Sequence, residues 1–106
     1  MLTGERAAVG ETHHFKLAGK VWPVKFTRLR GNAVGWTFIA DTKNPGVQEK
    51  ILIDERAYLK GRSGLELLIH ELLHALNPSF SEEAVTEQAA DIARVLWALK
   101  WRRKEE

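Results

Sequence analysis

Cysteine is absent from this chain of 106 residues, so no disulfide staples it and no thiolate can ligate a metal. Any transition-metal centre must therefore be built from imidazoles and carboxylates. Long apolar runs are also missing. No stretch reaches the length of a membrane span or of the apolar part of a signal peptide, which predicts a cytoplasmic protein with no membrane partner. Charge of one sign is not in excess: Lys and Arg exceed Asp and Glu by only two, and much of the surplus sits at Lys100, Arg102, Arg103 and Lys104. Such a run reads as a solvated helix end. Clustered basic residues with no aromatics interleaved along a strand give no reason to expect a nucleic-acid partner. Gly61-Arg62-Ser63-Gly64 lacks the spacing of a phosphate-binding loop.

What is present fits a single domain spanning residues 1–106, with 44 % hydrophobic and 28 % charged residues around one core. Residues 1–12 are polar and read as a loose lead-in, and 102–106 as a charged tail. His13 to Leu17 reads as a strand, followed by a turn at Ala18-Gly19-Lys20. Val21 to Leu29 alternates in part, and Pro23 implies a sheet edge or a strand that begins after it. Arg30-Gly31-Asn32 reads as a hairpin turn into Val34 to Ala40, where Val34, Trp36, Phe38 and Ala40 share a face. After the turn signal Lys43-Asn44-Pro45-Gly46, Val47 to Asp54 makes a last strand around Ile51, Leu52 and Ile53. Short turns between consecutive strands predict an antiparallel meander of three to four strands.

The period then changes. Leu65 to Leu76 is rich in leucine and reads as a buried helix, with Ser63 as a candidate cap and Asn77-Pro78 as its end. Ser79 or Ser81 can cap a second helix, with Glu82 and Glu83 in its favourable first turn and Val85, Ala89, Ile92, Leu96 and Leu99 as its apolar stripe, running to about Trp101. Strands followed by two antiparallel helices make an α+β domain.

On the first helix stands His70-Glu71-Leu72-Leu73-His74, an HExxH motif in a chain with four histidines. By composition, a chance HExxH anywhere in the chain has a probability of roughly 1–2 %. Residues i and i+4 lie one turn apart on one helical face, so both rings can reach one ion. The adjacent carboxylate of Glu71 can activate a water at an open metal position. The bland alternative is a pair of hydrogen-bonded core histidines beside a surface glutamate. Catalytic zinc uses three protein ligands, and the third must here be histidine or a carboxylate. Glu83, Glu87 and Asp91 recur every four residues on the second helix. Counting outward from the loop between the helices, Glu87 comes level with the His70–His74 turn and Asp91 with His70. Glu87 is thus the expected third ligand, with Glu83 in reserve, and Asp91 the expected acceptor of a His70 ring N–H.

His70-Glu71-x-x-His74 followed by Glu87-x-x-x-Asp91 resembles the gluzincin metallopeptidases, whose pattern is HExxH followed by ExxxD. The small size looks most like the single-domain minigluzincins and short phage-encoded HExxH proteins. The resemblance implies that His70, His74 and Glu87 bind zinc, one ion per chain, that Glu71 is general base and acid, and that Asp91 orients His70. It also implies that the strand Val34 to Ala40 borders the cleft and pairs with an extended peptide, and that small members can be latent zymogens with part of their own chain in the cleft. The expected function is zinc-dependent hydrolysis of a peptide or protein substrate. A latent or non-catalytic metal-braced binding protein is the alternative. His13 and His14 read as surface residues, Tyr58 as a possible oxyanion donor of unassigned place, and Trp22, Trp36, Trp97 and Trp101 as packing residues.

Overall fold

Alternation of large apolar residues with polar ones makes the strands, and their apolar faces collect on one side. The computed structural model describes residues 12–40 and 45–103. Within them the order is β1 (Thr12–Leu17), β2 (Lys20–Thr27), β3 (Gly35–Phe38), β4 (Lys50–Asp54), α1 (Glu55–Tyr58), α2 (Gly61–Leu76) and α3 (Glu82–Ala98). Most of the lead-in, residues 41–44 of the turn after β3, and 104–106 of the tail lie outside the described residues. Trp22, Val24 and Phe26 of β2 meet Ile51 and Ile53 of β4 in the core, and Leu67, Leu68 and Leu72 of α2 cover them. Full burial of each such side chain contributes about 1.5–3 kcal/mol. Among the described residues no helix is long and apolar enough to cross a membrane.

The α+β class and the order of strands before helices are as expected, but the sheet is not a plain meander. Its order is β1-β2-β4-β3, and β2 pairs with β4 in parallel. The chain leaving β2 does not turn back beside it. It passes the place later taken by β4 and returns through β3, which pairs antiparallel with β4 alone. Asp54, at the end of β4, fixes both ends of that passage: its Oδ1 accepts from the Leu29 amide at 2.9 Å, and its own amide donates to Val34 O at 2.8 Å. Pro23 is accommodated in an interior strand because the pairing with β4 begins one residue later, at Val24.

Asp54 also caps α1 by accepting from the Ala57 amide at 3.1 Å. The Leu29 amide is the largest cause that lowers its pKa to about 2, aided by Arg56 and the Ala57 amide and opposed by burial. Because the folded pKa is the lower one, this stabilisation is complete above about pH 4, the usual aspartate value, and is lost as pH falls towards 2. Asp54→Asn should therefore melt lower than the parent at neutral pH, with the difference shrinking as a series of thermal melts approaches pH 2. An equal difference at every pH would contradict this role.

The first long helix starts earlier than Ser63, at Gly61, with Lys60 at its cap position and no side-chain cap. Gly64 is needed there: a Cβ would lie 1.9 Å from the Tyr58 carbonyl oxygen, so α1 and α2 meet backbone to backbone. Ser81 caps α3, its Oγ accepting from the Ala84 amide at 3.0 Å. The helices are antiparallel, since Glu82 at the start of α3 meets His74 near the end of α2 and Trp97 near the end of α3 faces Gly61. The buried stripe of α3 is Val85, Ala89 and Ala93, while Ile92 and Leu99 are exposed.

Candidate metal centre

One turn of α2 separates His70 from His74, and the helix aims both rings at the gap before α3. Their Nε2 atoms are 3.2 Å apart, and the rings meet edge to face. The third group comes from the first residue of α3. Glu82 spans the pair, with Oε2 2.9 Å from His70 Nε2 and Oε1 2.8 Å from His74 Nε2. Ser81 sets this geometry by ending the five-residue link and starting the helix, and a carboxylate at a helix N-terminus is electrostatically favourable. His70, His74 and Glu82 thus form a group that can hold a metal ion.

Two imidazole nitrogens bound to one tetrahedral ion at about 2.05 Å would be about 3.3 Å apart, close to the observed 3.2 Å. The contact energy available without an ion is small. The Glu82 side chain is 71 % exposed, and a pair so open to water contributes under about 1 kcal/mol. Three groups with ligand atoms converging at that spacing fit a shared cation.

Glu71 faces the sheet. It is buried, and the Thr37 hydroxyl of β3 donates to its Oε1 at 2.7 Å and lies 3.1 Å from its carbonyl oxygen. Gly35, two residues before Thr37 on the same face, leaves room for the carboxyl group: a Cβ there would be 2.7 Å from Oε2. A cavity of about 330 Å³ connects these parts, lined by Gly35, Thr37, Ile39, His70, Glu71, His74 and Glu82 together with Trp36. The segment Val34 to Ala40 expected at the cleft thus supplies β3 and Ile39 to its wall, and β3 is an edge strand.

The carboxylate at the histidines is Glu82, not Glu87 or its alternative Glu83. Counting outward from the loop treats the helices as level rods. In the structure Glu82, the first residue of α3, already stands beside the last turn of α2, and its carboxylate reaches both histidines. Glu87 is five residues further on, about 140° around the helix, and is exposed, as is Glu83. Asp91 does not meet His70. Its carboxylate accepts from Arg94 at 2.9 Å on the solvent side of α3. Thr37 and Gly35 also escaped the sequence, because their roles arise from the approach of β3 to α2.

The other candidates lie elsewhere. His13 and His14 are on β1, at the sheet edge farthest from β3, and the His13 ring packs on Phe15 and Phe26. Tyr58 packs on Phe26 with ring centroids 4.5 Å apart and lines a separate groove near the start of α2. Trp101, Arg102 and Arg103 border that same groove, so the described part of the C-terminal tail does not fill the metal cleft. Trp22 is buried as a packing residue, whereas Trp36 and Trp101 are more than half exposed.

Fold and site together define an α+β domain in which two histidines and a carboxylate beside a sheet edge form a group that could hold a metal ion. Comparison with protein-family models, with characterised proteins and with solved structures gives no match.

Proposed function

We propose that this protein is a zinc-dependent peptidase. The observation that carries the reading is the convergence of His70, His74 and Glu82 on one point, with Glu71 in the same cavity. Two imidazoles and a carboxylate without cysteine suit zinc, and three ligands leave a position open. Zinc in such a site supplies Lewis acidity towards a water and a carbonyl oxygen. Glu71 is the base that takes a proton as the water oxygen bonds to the scissile carbon, and it returns that proton to the amine as the C–N bond breaks. Thr37 holds one Glu71 oxygen, and the missing side chain at Gly35 keeps space beside the other. The outer edge of β3, which has no strand partner among the described residues, offers backbone groups to an extended substrate strand.

The test is digestion of an unfolded protein by the zinc-loaded chain, read by mass spectrometry. Fragments should appear, vanish after chelation and return with added zinc. A zinc-loaded protein that cuts nothing, yet melts far lower after chelation, would instead be a metal-braced binding protein, and the peptidase reading would fall.

A further inference from the structure

Among the described residues the helices cover one face of the sheet and no element covers the other. By the strand register, Thr12, His14 and Lys16 of β1, Val21, Pro23 and Lys25 of β2, Lys50 and Leu52 of β4, and Trp36 and Phe38 of β3 share that open face. Three features set it apart. Trp36 is 52 % exposed and lies nearly parallel to Phe38, with ring centroids 6.1 Å apart at 25°. The Lys50 ammonium stands 5.2 Å from the Phe38 ring centre. Lys16, Lys25 and Lys50 stand together on this face with no ion-pair partner among the described residues, a lack shared by Arg30, Lys60, Arg62 and Lys100, which lie off the sheet. The one carboxylate at a strand position facing this way is Asp54, at the sheet's end, and its oxygens are taken by the Leu29 and Ala57 amides and by Arg56.

We propose that this face binds single-stranded nucleic acid, with bases stacking on Trp36 and Phe38 and the phosphates drawn to Lys16, Lys25 and Lys50. Along any one strand the aromatics and lysines do not alternate. The register brings them together, setting Lys50 opposite Phe38 and placing Lys25 next to Leu52, whose other neighbour is Trp36. Trp36 is the exposed ring and half-buried Phe38 extends its platform; every base has a π-face, so recognition of this kind tolerates many sequences. Four-stranded sheets with aromatics on an open face hold two or three bases in this way. Surplus lysines beside the rings complement the phosphates, and the aromatic pair favours unpaired bases over a duplex or another polyanion. The metal-binding group lies on the helix side of the sheet, and Trp36 borders both that cavity and the open face.

The test is fluorescence anisotropy of a labelled oligothymidine titrated with the full chain at about 50 mM salt. Three phosphate contacts on a single strand give a log–log salt slope of about −2. Trp36→Ala should weaken binding by about 5- to 150-fold, the range of one lost stacking platform, while Trp36→Phe keeps most of it. Lys16→Glu/Lys25→Glu/Lys50→Glu should abolish binding, and His74→Ala should leave it intact, each variant being checked for an unchanged circular-dichroism spectrum. No binding by the parent would overturn the proposal. So would Trp36→Ala binding like the parent, or heparin or duplex DNA competing as well as the single strand.

Discussion

Glu71→Gln is expected to retain zinc and lose hydrolysis. A positioned general acid–base group contributes about 10²–10⁴ in rate, so kcat/KM should fall by at least two orders of magnitude. The amide has nearly the size of the carboxylate, and its oxygen can still accept from the Thr37 hydroxyl, which lies 2.7 Å from Oε1 in the parent. Packing at this buried position therefore changes little, and zinc content and melting temperature should stay near those of the parent. That separation distinguishes a lost proton carrier from a damaged site. Equal activity in the variant would remove Glu71 from the mechanism.

A comparably large effect is expected from Glu82→Ala, read as zinc affinity in competition with a chelating dye. Loss of a supporting group around a metal costs about 10–100-fold in affinity, and loss of a direct ligand should cost at least that. Glu82 is exposed, and surface substitutions usually stay within about 0.5 kcal/mol, so the metal-free protein should unfold like the parent. Glu87→Ala and Glu83→Ala should leave affinity unchanged, because the carboxylate that joins His70 and His74 is that of Glu82. Retention of zinc by Glu82→Ala with its loss from Glu87→Ala would reverse the ligand assignment.

Those two results depend on different levels of the chain. The HExxH pair was legible because i and i+4 share a helical face whatever surrounds the helix, and the observed Nε2 separation of 3.2 Å follows from that spacing. The third group was not legible, since it depends on how α3 leaves the loop. Residue counting favoured Glu87, while the Ser81 cap starts α3 so that its first residue, Glu82, meets the histidines. Strand positions were readable from alternation at Val24 and Phe26 and from the apolar run around Ile51 and Ile53, but their partners were not. The parallel β2–β4 pair requires the link from Arg28 to Val34 to cross the end of β4, and Asp54 holds it there through contacts distant in sequence. The open face of the sheet was hidden for the same reason, because only the register sets Lys50 opposite Phe38.

The central claim is that His70, His74 and Glu82 form a zinc site rather than a hydrogen-bonded trio. The most direct measurement is elemental analysis of the protein purified without added metal, beside His70→Ala/His74→Ala. About one zinc per chain in the parent and none in the double variant is the expected result. A parent that carries no zinc and gains none when zinc is supplied would contradict the account.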